Sequence, residues 1–138
     1  MARIFPLPGA GDIVWWRFPH RGFAVPGPKP RPALVVDIGN LRGEPAAEVV
    51  YGTSQKLDRR YPGEFAITPE DGDRFFVAGL DRPTKFDLTR PVFLPYTDEW
   101  FDVPPGAPHG QTPKLGILHP SLVRRAKAAR DAAMRAAR

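Results

Sequence analysis

Short apolar runs separated by breakers dominate the chain, and their periodicity is that of strands. Gly11-Asp12 reads as a turn that launches Ile13-Val14-Trp15-Trp16-Arg17-Phe18, a run rich in β-branched and aromatic residues. Alternation puts Ile13 and Trp15 on one face and Val14, Trp16 and Phe18 on the other, so both faces are largely apolar. Such a strand is covered twice, by the core and by a second surface, for which a partner subunit is one source. Residues 33–38 and 47–51 are the next two strands, with a polar, turn-like stretch at 39–45 between them. Residues 64–67 alternate as a short strand, and 75–78 read as another, ended by Gly79. Residues 85–88 and 91–94 are short strand candidates, the second weakened by Pro91. Residues 115–118 read as a last strand or as the run into a helix.

The breakers fill the gaps. Residues 19–30 form a long loop, and Pro26-Gly27-Pro28-Lys29-Pro30-Arg31-Pro32 is stiff and close to polyproline II, because its prolines cannot donate ladder hydrogen bonds. Residues 97–112, with Pro104-Pro105-Gly106, are loop-like. From Pro120 the pattern turns helical. Proline suits a first helical turn, and the residues after it are mostly Ala, Arg, Lys and Leu. Leu122, Ala126, Ala129 and Ala133 share one shallow helical face. The expected fold is mainly β: a small SH3-like barrel of short antiparallel strands over residues 1–120. A basic C-terminal α-helix, frayed at its end, occupies residues 121–138.

The 138 residues suit one domain, and the 18 prolines and 13 glycines weigh against a helical bundle. No cysteine is present, which excludes disulfides and thiolate metal sites. The first residues carry one arginine and an apolar patch broken by Pro6 and Pro8, which is not a signal-peptide pattern. No later segment is long and apolar enough to span a membrane, so a cytoplasmic protein with no membrane partner is expected.

The net charge of +5 invites a nucleic-acid reading, but six basic residues against one acid after Leu122 account for all of it. The remainder is uneven. Residues 17–60 hold eight basic and four acidic groups, and residues 61–102 hold four basic and nine acidic ones. An anionic ligand is drawn to the first region and repelled by the second.

His20, His109 and His119 share no ligand spacing, and no carboxylates form a coordination motif, so no metal and no cofactor are expected. There is no phosphate-binding glycine loop and no nucleophile elbow. The informative segments are Gly11-Asp12-Ile13-Val14-Trp15; then Lys29-Pro30-Arg31-Pro32-Ala33-Leu34-Val35-Val36; then Val49-Val50-Tyr51-Gly52-Thr53-Ser54-Gln55; then Gly79-Leu80-Asp81-Arg82-Pro83-Thr84-Lys85-Phe86-Asp87. In order and spacing, from Gly11 to about Asp87, this set resembles the MazF/PemK/Kid family of toxin–antitoxin ribonucleases. That family has a G-D-hydrophobic-W strand, an R-P pair opening a hydrophobic strand, and a third strand ending in T-T-Q or T-S-Q.

The resemblance implies a metal-independent endoribonuclease toxin of a type II toxin–antitoxin system. Its substrate would be single-stranded RNA, cut by attack of the ribose 2′-hydroxyl on the adjacent phosphate. It also implies a homodimer and a cognate antitoxin whose disordered segment lies over the RNA groove. Arg31 falls on the family's catalytic arginine, Thr53 on its catalytic threonine, and Asp81 on an acidic residue near the scissile phosphate. Those residue types suit the chemistry. A guanidinium fork holds two non-bridging oxygens and keeps its proton, and a hydroxyl beside it donates another hydrogen bond. A general base must take the 2′-hydroxyl proton, and His20 and Asp81 are the candidates. Lys29, Ser54, Gln55, Lys56 and Lys85 flank these motifs and are the expected RNA contacts.

The chain departs from the family pattern in places. No glutamate lies between Pro19 and Arg31, Gly79 stands where some members have arginine, and Arg82 stands where glutamine follows the aspartate. These departures support an alternative: a non-catalytic SH3-like module binding RNA, DNA or a protein segment. A third reading is a nucleic-acid-binding regulator driven by its basic terminal helix. Trp15 and Trp16 read as core and interface before base-stacking platforms.

Overall fold

A computed structural model describes residues 5–17, 27 and 29–136. Seven strands form one antiparallel sheet: β1 (Asp12–Arg17), β2 (Pro30–Leu41), β3 (Glu44–Thr53), β4 (Glu64–Ile67), β5 (Thr84–Asp87), β6 (Val92–Pro95) and β7 (Lys114–Ile117). A five-residue helix, α1 (Asp73–Val77), lies between β4 and β5, and α2 (Val123–Ala136) ends the described chain. Strand order is β4-β5-β3-β2-β1-β7, with β6 beside the first half of β3.

The expected mainly β chain with a C-terminal helix is what forms. The sheet is not closed into a barrel, however, because its outer strands β4 and β7 do not pair. The segment after β4 reaches β7 instead. Gly79 adopts φ +73°, and a Cβ there would lie 2.0 Å from the Leu115 carbonyl oxygen. A Cβ on Gly116 would lie 2.2 Å from the Val77 carbonyl oxygen. Two backbones thus meet where side chains would keep them apart.

Neighbouring residues of the central strands feed two separate cores. Ile13, Leu34 and Val50 pack with Phe65, Ile67, Phe75, Phe86, Leu122 and Ala129. Val14, Trp16, Ala33, Val35 and Val49 pack on the opposite face with Phe5, Leu94, Tyr96 and Phe101. The second cover over β1, for which a partner subunit was one expected source, is therefore built by the chain itself. Residues 100–102 run alongside β1: Arg17 donates its backbone N–H to the Trp100 carbonyl at 2.7 Å, and Asp102 donates to the Trp15 carbonyl at 3.0 Å. An Arg17–Asp102 ion pair at 3.0 Å adds to this seam.

Two local expectations are corrected. Residues 75–78 are not a strand, because α1 spans Asp73–Val77. A four-residue apolar run carries no periodicity to separate strand from helix. What decides is the preceding 3-10 turn Pro69–Asp71, where Asp71 Oδ2 accepts the Thr68 N–H at 2.9 Å and starts a helical segment. Phe75 is then buried while Phe76 is 74% exposed. The stretch 39–45 is mostly strand as well. β2 continues to Leu41 and β3 starts at Glu44, leaving a two-residue turn with positive φ at both Arg42 (53°) and Gly43 (83°). That geometry matches the twist of a hairpin.

Helix α2 lies on β4. Its alanines allow close approach, with Ala129 and Ala133 buried, and a Cβ on Gly63 would sit 3.0 Å from the Ala133 methyl. Arg125 fastens the helix by donating to the Ala66 carbonyl at 3.0 Å and to Asp71 Oδ2 at 3.1 Å. The helix is regular through Ala136; residues 137 and 138, at the end where fraying is expected, lie outside the described residues. No helix among the described residues is long and apolar enough to cross a membrane.

Candidate functional site

A wedge opens where β2 and β3 part. Their ladder runs in register through Leu34↔Val50 and Ala33↔Tyr51 and then stops. Beyond that point β2 pairs only with β1, through Trp15↔Pro32, Trp16↔Arg31 and Arg17↔Pro30. β3 turns to β5 instead, through Gly52↔Phe86 and Thr53↔Lys85. Pro30 and Pro32 carry no N–H, so this end of β2 cannot extend a ladder on both sides. Gly52 lets β3 press onto β5, since a Cβ there would lie 2.8 Å from the Phe86 ring and 2.9 Å from Thr84 Cγ2.

The wedge is a cleft of about 450 Å³. Arg31, Thr53 and Asp81 line it, as do Lys29, Ser54 and Gln55. Three of the four expected catalytic residues and three of the five expected RNA contacts thus meet in one place. Within the described residues, no ion pair or hydrogen bond engages the Arg31 guanidinium or the Lys29 ammonium. Thr53 Oγ1 accepts the Gln55 backbone N–H at 3.0 Å, which orients the hydroxyl. This is the strand-end turn that threonine makes with its own backbone, and the hydroxyl proton is still available to donate.

The other expected residues stand elsewhere. His20 lies outside the described residues. Lys56 is exposed in the loop after the cleft wall, with φ 52°. Lys85 is a correction: it is buried, its ammonium paired with Glu64 at 3.2 Å and donating to the Arg59 carbonyl at 2.7 Å. It cannot reach an RNA phosphate from there. Its strand position next to the motifs gave no sign of burial, because an isolated lysine is normally solvated.

Two lining residues were not expected in this role. Trp15, read as core or interface, is half-buried and faces the cleft, whereas Trp16 beside it is fully buried. Arg82 also lines the cleft and grips Asp81, its Nε on Oδ1 at 3.1 Å and its Nη2 on Oδ2 at 3.3 Å. Both oxygens of Asp81, the one carboxylate on the cleft wall among the described residues, thus accept hydrogen bonds from a cation. Along the sequence, Arg82 stands out only as a missing glutamine.

Chemically, the cleft presents three cationic side chains, three hydroxyls, an amide and the Arg82-paired carboxylate around a flat indole. The set fits an anion such as a phosphodiester, with an aromatic surface beside it for a base. No group of three or more histidine and carboxylate side chains that could hold a metal occurs among the described residues. Compared with known proteins, the chain matches no family model and no curated sequence.

Proposed function

We propose that the β2–β3 cleft binds single-stranded RNA and cleaves it without a metal, the protein acting in the cytoplasm as the toxin of a type II toxin–antitoxin pair. The observation that carries this reading is that Arg31 and Thr53 line one cleft with Lys29, Ser54 and Gln55, opened where the β2–β3 ladder stops. The ordered motifs that resemble the MazF/PemK/Kid family converge on the same cleft. The family's homodimer and antitoxin belong to the proposal on that resemblance alone.

In this mechanism the 2′-hydroxyl loses its proton to solvent water as its oxygen bonds to phosphorus, the bond from phosphorus to the 5′-oxygen breaks, and that oxygen takes a proton from water. A cyclic phosphate and a free 5′-hydroxyl result, with no net change in protons. Arg31 holds the non-bridging oxygens as their charge grows, and Thr53 donates a further hydrogen bond. Such a site works by holding donors where charge develops, and both residues are anchored on strands rather than on loop tips.

One observation favours a second reading. Among the described residues Asp81 is the one carboxylate lining the cleft, and both of its oxygens already accept hydrogen bonds from Arg82. A binding module without chemistry would show this arrangement too. Incubation with single-stranded RNA in the presence of a chelator separates the two. Cleavage leaving 5′-hydroxyl ends, lost in Arg31→Ala, supports the ribonuclease. Binding that is weakened by Arg31→Ala, with intact RNA throughout, supports the module.

A further inference from the structure

The loop between β3 and β4 leaves the cleft wall at Gln55 and is anchored from below by a buried ion pair. Lys85 and Glu64 have side chains only 5% and 10% exposed. Lys85 Nζ donates to the Arg59 carbonyl at 2.7 Å, and Glu64 Oε1 accepts the Tyr61 N–H, also at 2.7 Å. Burying two charges is a weak means of stabilising a fold, because desolvation offsets the attraction. Here the pair fixes the loop backbone on both sides of Arg60.

What it holds in place faces outward. Arg59 and Arg60 are exposed, and no ion pair or hydrogen bond among the described residues engages either guanidinium. Tyr61 is 62% exposed. Together with Lys56, and against Asp58, the loop has a net charge of +2. A second groove of about 520 Å³ lies between the loop, β4 and α2, lined by Arg60, Tyr61, Glu64 and Arg125 and by Ala128 and Ala132. The alanines make its helical wall shallow. An inserted apolar anchor of a protein partner would find no deep pocket, whereas a planar base needs only a flat face and a nearby cation.

We infer that this groove is a second nucleotide subsite: single-stranded RNA leaving the cleft past Gln55 crosses Arg59 and Arg60 and stacks a base on Tyr61. The inference rests on the cleft being an RNA site, with which the loop is continuous. Lys85 is then a positioning residue, acting through the loop and not on the RNA.

Binding titrations with two single-stranded RNAs carrying 2′-O-methyl riboses, which cannot supply the nucleophile, test it. One is of about three nucleotides and fills the cleft; the other, of about twelve, reaches the groove. Tyr61→Ala is expected to weaken the long strand about tenfold and leave the short one unchanged, with Tyr61→Phe restoring the long strand. Lys85→Met is expected to reproduce the Tyr61→Ala pattern, and Arg31→Ala to weaken both strands. Equal affinity of wild type and Tyr61→Ala for the long strand overturns the inference, as does equal loss on both strands. If Tyr61→Ala weakens the long strand while Arg31→Ala changes neither, the cleft reading falls and the groove stands alone. Absence of RNA binding by the wild type, or competition for the groove by an acidic peptide alone, overturns the subsite.

Discussion

Gln55 donates its backbone N–H to Thr53 Oγ1 across 3.0 Å, so the threonine hydroxyl is oriented by the chain two residues further on. With one of its lone pairs engaged, the hydroxyl has its proton to give to a ligand in the cleft. Removing one preorganised donor from a charge-stabilising site costs about 10²–10³ in rate. Thr53→Val is expected to lose RNA cleavage by about that factor, and Thr53→Ser to stay within about tenfold of wild type. Equal cleavage by the valine variant would reduce Thr53 to a strand-end residue.

Trp15 and Trp16 are adjacent on β1 but belong to different environments, one at the cleft and the other wholly buried. Stacking of a base on an aromatic ring contributes about 1–3 kcal/mol by alanine substitution. Trp15→Ala is therefore expected to weaken single-stranded RNA binding about tenfold or more, with Trp15→Phe intermediate. The unfolding midpoint of each variant distinguishes lost stacking from lost packing. Unchanged affinity in Trp15→Ala would remove the indole from the site.

Asp71 receives hydrogen bonds from Arg125 and from the Thr68 N–H. Burial pushes its carboxyl up, but these hydrogen bonds and the charges of Arg125 and Arg74 outweigh burial and hold it below the ordinary aspartate value of 3.8. A carboxylate with a lowered folded pKa contributes stability above its unfolded value, and that contribution is lost as pH falls through the folded value. Denaturant midpoints of the wild type are expected to drop more steeply than those of Asp71→Asn as pH falls below about 4. Parallel curves would show that the α2 anchor carries no pH dependence.

Gly79→Ala forces a Cβ onto the Leu115 carbonyl while keeping a left-handed backbone. Overpacking and backbone strain together are expected to cost about 2–4 kcal/mol in denaturant unfolding. The position where some members of the resembling family have arginine is here a backbone contact with β7. A variant as stable as wild type would mean that the two backbones separate easily.

Much of the architecture is legible in the residues because it follows alternation. Strand β1 with both faces apolar, the β-branched runs of β2 and β3, and the alanine-rich helix after Pro120 are local patterns with direct physical causes. The source of the second cover over β1 is not local, since Phe5, Leu94, Tyr96 and Phe101 come from distant parts of the chain. The tight turn at Arg42-Gly43 sits in a polar stretch without the usual asparagine or aspartate signal. The cleft was legible as an ordered set of motifs, and its cause, the parting of β2 from β3, was legible only in part. Pro30 and Pro32 read as loop stiffeners, whereas they belong to a strand and end its ladder on one side. The burial of Lys85 depends on Glu64 and Arg59, 21 and 26 residues away, which no window on the sequence brings together.

The prolines of β2 have one more effect. A sheet opened at its centre exposes strand edges inside a cleft, and unpaired edges recruit other strands, which leads to aggregation. At Pro30 and Pro32 the β2 edge has no N–H to offer an incoming strand. The same two residues that open the site thus leave it poorly suited to templating β-structure, so a polar ligand can enter where a foreign strand finds few donors.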